Sequence, residues 1–201
     1  MMKRGIDGAP RSSRPLKVIN LYGRPQVGKT AVASGLHWLM RTHGLSADRT
    51  AEYAQHLCLV GTKWQLAEDQ FSVCAQQHQY LLVRRGAYEY VISDSPLLLC
   101  AFYAPRDTHP AAFYEAVEAY DSAFENVNFF LTREPAANEQ YENSGRRHTQ
   151  SEALAMEAEL KEFLKKKDIP YTELAITQET PWLILDRLYP GLARMPAFQD
   201  I

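Results

Sequence analysis

Cysteine is scarce in this chain, and its three copies lie far apart. Cys58, Cys74 and Cys100 contain no pair at metal or redox spacing, which leaves no zinc ribbon, no dithiol motif and no disulfide framework to organise the fold. They read as small core residues in a reducing cytosol. Long apolar runs are missing too. The longest, Pro96 to Ala104, falls far short of the ~20 residues a bilayer requires, so a soluble chain with no membrane partner is expected. Charge of one sign is not in excess: 22 basic and 24 acidic residues leave a net charge of −2, which carries no global nucleic-acid signature. Repeats and low-complexity blocks are also lacking. These absences exclude secreted, membrane-spanning and fibrous classes and leave a cytoplasmic globular protein.

What is present suffices for one domain. A chain of 201 residues with 46% hydrophobic content can bury a sizeable core. Its basic residues are unevenly placed, since Lys3, Arg4, Arg11, Arg14, Lys17 and Arg24 face only Asp7 within the first 24 residues. Residues 1–15 read as a flexible basic leader, 16–191 as a single domain and 192–201 as a tail. The leader is a solvated segment or, alternatively, a phosphate-contacting arm.

The most specific signal is Gly23-Arg24-Pro25-Gln26-Val27-Gly28-Lys29-Thr30, a full match to G-x-x-x-x-G-K-[ST]. Upstream, Leu16 to Tyr22 is a β-prone run; downstream, Ala31 to Arg41 is rich in helix formers, with Val32, Leu36, Leu39 and Met40 near helical spacing. Strand, glycine loop and helix form the geometry in which backbone N–H groups and a helix N-terminus converge on phosphate. Gly23 to Thr30 is therefore expected to bind nucleotide. Lys29 would reach the outer phosphates, and the Thr30 hydroxyl would sit on Mg²⁺.

The remaining chain alternates between helix and strand. Trp64 to Arg85 predicts one long helix, with Trp64, Ala67, Phe71, Cys74, His78 and Leu81 on a core-facing stripe. Within it His78 reads as a packed or edge histidine rather than a ligand. Tyr88 to Ser93 predicts a strand, His109 to Phe124 a helix, and Asn126 to Leu131 a central strand of a parallel sheet. A polar stretch, Thr132 to His148, precedes a capping box at Thr149 and Glu152. The helix that follows runs through Lys167 with Ala153, Met156, Leu160, Phe163 and Leu164 on its apolar face. Ile169 to Leu174 offers a last strand, and Thr180 with Pro181 opens a closing helix. The fold class is α/β: a central, mainly parallel sheet flanked by helices, of the P-loop NTPase type.

Three further features bear on chemistry. Asp94 ends an apolar strand, where a carboxylate at the edge of a parallel sheet can hold the metal or take a proton from an acceptor hydroxyl. The plainer alternative is a turn-forming Asp before Ser95-Pro96. After the Phe129-Phe130 strand come Arg133-Glu134-Pro135, Tyr141, Gly145, Arg146 and Arg147. Such an Arg-bearing segment can serve as a lid, with Arg133 and Arg146 neutralising charge on a transferring phosphoryl group. Glu52 and the cluster Glu68-Asp69-Gln70 are acceptor-side candidates, with Glu52 a potential general base and Asp69 and Gln70 potential contacts to the acceptor. An exposed helix face explains them equally well. No Asn/Thr-Lys-x-Asp element for guanine is present, since Thr62-Lys63-Trp64-Gln65 fails at its last position. A small-acceptor or nucleotide kinase suits the length best.

The phosphate loop, Glu52-Tyr53-Ala54, Glu68-Asp69-Gln70, Ser93-Asp94-Ser95-Pro96-Leu97-Leu98-Leu99 and Tyr141-x-x-x-Gly145-Arg146 together resemble one family. It is that of bacteriophage P-loop kinases related to the ATPase/kinase domain of ribosylnicotinamide kinases, and within it the branch that phosphorylates 5-hydroxymethyluracil in DNA. The likeness spans roughly residues 16 to 175. It implies ATP as donor, Mg²⁺ as cofactor, and DNA containing 5-hydroxymethyluracil as acceptor in the host cytoplasm. The phosphate ester would then act as leaving group in thymidine hypermodification, which protects viral DNA from restriction. The likeness departs at Leu45 to Thr50, too polar for a second strand before Glu52. From the residues alone the acceptor stays open between a base in DNA, a free nucleoside and a nucleotide. A nucleotide-dependent switch without phosphoryl transfer is the alternative from another class.

Overall fold

The computed structural model describes residues 15–62, 64–133 and 150–192. Among them the chain runs β1 (Lys17–Tyr22), α1 (Lys29–Thr42), β2 (Ala47–Arg49), α2 (Tyr53–Leu59), α3 (Gln65–Glu68), α4 (Gln70–Leu82), β3 (Tyr90–Ser93), α5 (Leu98–Tyr103), α6 (Ala111–Ser122), β4 (Glu125–Thr132), α7 (Gln150–Lys166), β5 (Thr172–Ala175) and α8 (Thr180–Leu188). The strands form one five-stranded sheet in the order β2-β3-β1-β4-β5, parallel at every pairing. No helix among the described residues is long and apolar enough to cross a membrane.

Strand alternation divides the core into two layers. Ile19 and Leu21 of β1, with Phe129 and Leu131 of β4, pack against Val32, Leu36 and Met40 of α1 and Ile184 and Leu185 of α8. Val18 and Tyr22, with Phe130, face Cys74 and Leu81 of α4, Leu98 of α5, Val117 of α6 and Leu160 and Leu164 of α7. The helix after β1 thus covers one face and the helix after β4 the other. β1 and β4 flank the point where strand order reverses, and open α/β sheets bind ligands beyond the carboxyl ends of such strands.

Two expectations are corrected. The polar stretch Leu45 to Thr50 does hold a strand, β2, paired from Ala47↔Tyr90 to Arg49↔Ile92. It lies at the sheet edge, where polar residues are tolerated, and Asp48 is ion-paired to Arg84 at 2.8 Å. The single helix over Trp64 to Arg85 is instead two, broken at Asp69 with φ −135° and ψ 60°. The Asp69 carboxylate caps α4 by accepting from the Ser72 N–H at 3.0 Å, a local preference that overrides the apolar periodicity. The core stripe rotates accordingly. Cys74 and Leu81 are buried, but Phe71 is 63% and Trp64 53% exposed. His78 is an edge residue, stacked on Tyr120 with centroids 4.3 Å apart. Cys58 is half-buried rather than in the core, unlike Cys74 and Cys100. Thr149 of the expected capping box lies outside the described residues.

The asparagines of β4 build a polar ladder beneath α6. Asn20 Nδ2 donates to Asn126 Oδ1 at 2.9 Å and Asn128 Oδ1 at 3.0 Å. Asn126 Nδ2 donates to the Asp121 carbonyl at 2.8 Å and its Oδ2 at 3.1 Å. Burial raises the Asp121 carboxyl from 3.8 to about 6. Because the folded value lies above the unfolded one, the stability tied to Asp121 is fully present below pH 4 and lost as pH rises through 6. The difference corresponds to about 3 kcal/mol. In Asp121→Asn, which keeps an acceptor for Asn126, urea midpoints from pH 4 to 8 should show the variant matching wild type at the acid end. It should become more stable at the alkaline end; parallel profiles would contradict the assignment.

Candidate nucleotide-binding site

The loop between β1 and α1 takes its shape from three residues with positive φ: Gly23 (140°), Gln26 (63°) and Gly28 (112°). At Gly23 a Cβ would stand 2.5 Å from the Leu131 backbone oxygen on β4, so only glycine lets loop and strand approach this closely. Val27 is fully buried and anchors the loop in the core. Gly28 occupies the N-cap of α1, whose first turn carries no acidic residue. The N–H groups and positive end of a three-turn-plus helix therefore face the loop with no carboxylate competing for an anion. Gly23→Ala should cost about 3 kcal/mol or more through clash and backbone strain. Chemical denaturation will measure it, and a loss under 1 kcal/mol would mean that the loop does not need this approach.

Lys29 Nζ donates to the Gly23 carbonyl at 2.9 Å and the Arg24 carbonyl at 3.0 Å, so the ammonium lies across the loop itself. Thr30 is exposed in the first turn of α1. Pro25 and Gln26 line the loop half-buried, while the Arg24 side chain turns inward and is 3% exposed. Only the Arg24 backbone lines the loop.

Asp94 follows β3, next to β1 in the sheet, with Ser93 opposite Asn20. It is 2% exposed, and its Oδ1 has no hydrogen-bond partner. A buried carboxylate oxygen left unpaired is costly unless a ligand completes it. This orphan oxygen, with the Thr30 hydroxyl at the loop, fits Mg²⁺, which keeps several waters and needs few protein ligands besides substrate phosphates. No cluster of three or more His, Cys, Asp or Glu that could hold a metal occurs among the described residues.

Arg133 directly follows β4. Its carbonyl accepts from Arg24 Nη2 at 3.2 Å, and its own Nη2 stands 3.9 Å from where a Gly28 Cβ would be. The structure thus brings Arg133 to the N-terminus of α1. Arg146, and the rest of the segment expected to act as a lid, lies outside the described residues.

On the acceptor side, Thr50 N donates to the Ile92 carbonyl at 3.0 Å, carrying the end of β2 along the end of β3. Glu52 follows, half-buried at the N-cap of α2. Asp69 and Gln70 hold the α3–α4 junction instead of an exposed helix face. Gln70 is 2% exposed, and its Nε2 donates to the Leu66 carbonyl at 2.6 Å. These contacts lend no support to acceptor binding by Asp69 or Gln70. Gln77, which sequence reading passed over, reaches the Asp94 turn: its Nε2 donates to Ser95 Oγ at 2.8 Å, and its Oε1 accepts from Cys100 Sγ at 3.2 Å. Thr50, Gln77, Tyr80, Leu81, Ser93, Ser95 and Leu97 pack closely around that turn and leave no room between them for a water molecule. A polar residue between Cys74 and Leu81 on the buried stripe was the available signal.

No curated protein matches the sequence. Among solved structures, the chain resembles a NadR protein determined in complex with NR, with a TM-score of 0.61 at 18% identity over 90% of this chain and 54% of that one. It thus spans about half the length of the NadR chain. It also resembles a deoxyadenosine kinase from M. mycoides with bound dCTP, with a TM-score of 0.47 and 9% identity, over 85% of this chain and 98% of that one. A gluconokinase from Sinorhizobium meliloti 1021 has a TM-score of 0.43 and 13% identity, over 87% and 96% of the respective chains. A family model described as an AAA domain matches residues 18–186. With a phosphate loop on a five-stranded parallel sheet and a match over most of its length, the chain belongs to this AAA-domain family.

Proposed function

We propose that this chain is a kinase that transfers the γ-phosphate of ATP to a hydroxyl of a small acceptor of the nucleoside class. The observation that carries the reading is that the glycine loop with Lys29 and the buried, unpaired Asp94 oxygen follow the ends of two adjacent parallel strands, β1 and β3. Lys29 exchanges its two carbonyl partners for outer phosphate oxygens, while the α1 N-terminus receives the inner ones. Thr30 and Asp94 would hold Mg²⁺, which would supply positive charge to offset that of the phosphates. Arg133, at the same helix end, adds positive charge as the γ-phosphoryl leaves, and Arg146 takes the same role from the sequence pattern. Asp94 or Glu52 accepts the proton of the attacking hydroxyl.

The nucleoside class is supported by the fold shared with a NadR protein bound to NR. The second reading, transfer to 5-hydroxymethyluracil in DNA for thymidine hypermodification, rests on the motif set from Glu52 through Arg146.

γ-Labelled ATP offered with free nucleosides, nucleotides and DNA with and without hydroxymethyluracil separates these readings. Label on a nucleoside or nucleotide is the expected result. Label on hydroxymethyluracil DNA alone would replace it with the second reading. Nucleotide binding with slow hydrolysis and no labelled acceptor would indicate a switch.

A further inference from the structure

Within the loop motif Arg24 occupies a position where any residue is permitted, yet its side chain is 3% exposed. Burying a guanidinium is expensive unless it is paired, so this placement calls for a structural return. The side chain crosses from the phosphate loop to the far side of the point where strand order reverses. There Nη2 donates to the Arg133 carbonyl at 3.2 Å, while Nε makes no hydrogen bond and is ion-paired to Glu157 Oε2 on α7 at 3.6 Å. Glu157 is approached by Lys161 at 3.7 Å, and Lys161 pairs with Glu173 of β5 at 2.8 Å. One loop side chain thereby ties together the end of β4, α7 and, through Lys161, β5. The residue whose backbone it holds is the one whose guanidinium stands at the N-terminus of α1.

We propose that Arg24 is a positioning residue: its buried guanidinium clamps the Arg133 backbone and α7 to the phosphate loop, holding the Arg133 side chain at the N-terminus of α1, from which its guanidinium extends toward the outermost phosphate of a bound nucleoside triphosphate. This rests on the phosphate-loop reading of the site and is independent of the acceptor. Arg24 touches no phosphate through its side chain; it acts through Arg133. The planar fork matters because one group must serve a carbonyl and a carboxylate at once, which an ammonium on a single stem does less well.

The test is calorimetric binding of ADP and of ATPγS, each with Mg²⁺, to the full chain as wild type, Arg24→Met, Arg24→Lys, Glu157→Gln, Arg133→Ala and the Arg24→Met/Arg133→Ala double variant. Wild type should prefer ATPγS. Arg24→Met should reduce that preference by about tenfold while ADP affinity stays within about threefold, since the loop glycines and Lys29 remain. Arg24→Lys should retain part of the preference, and Glu157→Gln should lose less than Arg24→Met. The double variant should be no worse than Arg133→Ala alone, as expected for two residues acting in series. If Arg24→Met does not fold, the Arg24→Lys and Glu157→Gln comparisons decide. An undiminished preference in the folded Arg24 and Glu157 variants overturns the proposal, as do additive losses in the double variant or an equal fall in ADP affinity. A wild type that binds neither nucleotide overturns the phosphate-loop reading itself, and this inference with it. A preference untouched by Arg133→Ala overturns this inference alone.

Discussion

Lys29→Ala should lower phosphoryl transfer by roughly 10³-fold while the protein stays folded. The ammonium is the positive side chain whose contacts are to the loop's own carbonyls, at Gly23 and Arg24, so it is placed to follow charge onto the outer phosphates. Preorganised charge of this kind contributes roughly 10²–10³-fold for a single donor and more where the developing charge is large. The cost to folding is small because Lys29 is only half-buried, and the Gly23 and Arg24 carbonyls it bonds are groups that water can satisfy, so about 1 kcal/mol is expected. Steady-state kinetics beside a thermal melt will separate the two effects. Near-normal transfer by the folded variant would remove the loop from the chemistry.

The second large effect is expected at Asp94. Asp94→Asn preserves volume and removes the charge that the orphan Oδ1 offers to a cation. Turnover should fall by about 10²-fold or more, because on the proposed assignment Mg²⁺ would lose a protein carboxylate. Affinity for nucleotide in EDTA should change little, since Gly23, Gly28 and Lys29 are untouched. Stability should hold or rise, as a buried carboxylate with an unpaired oxygen opposes folding and is kept for function. Equal losses of metal-free and metal-dependent binding would return Asp94 to a structural turn residue.

The elements that sequence reading located share a property: their signals are contiguous. The phosphate loop is one run of residues whose geometry depends on glycines at Gly23 and Gly28, both with positive φ. β1 and β4 are buried runs in a parallel sheet, which leaves them apolar enough to recognise. Val32, Leu36, Leu39 and Met40 are all buried as α1 spacing predicts. What escaped has its cause at a distance. β2 is polar because it lies at an edge and Asp48 meets Arg84 from another element. The break between α3 and α4 is made by the Asp69 cap, against an unbroken apolar rhythm.

The sequence by itself determined that this chain folds around a phosphate loop, since backbone N–H groups, a helix N-terminus and a lysine follow from eight consecutive residues, Gly23 to Thr30. It also determined the α/β alternation, because periodicity is local. Only the tertiary structure decided what surrounds that loop. Arg24 looks like a loop cation in sequence but is turned inward by Arg133 and Glu157, 109 residues away in the first case. Gln77 reaches Ser95 across 18 residues, and the unpaired Asp94 oxygen exists only because the fold buries it. Burial and long-range pairing depend on what the rest of the chain places nearby, and no local pattern encodes that.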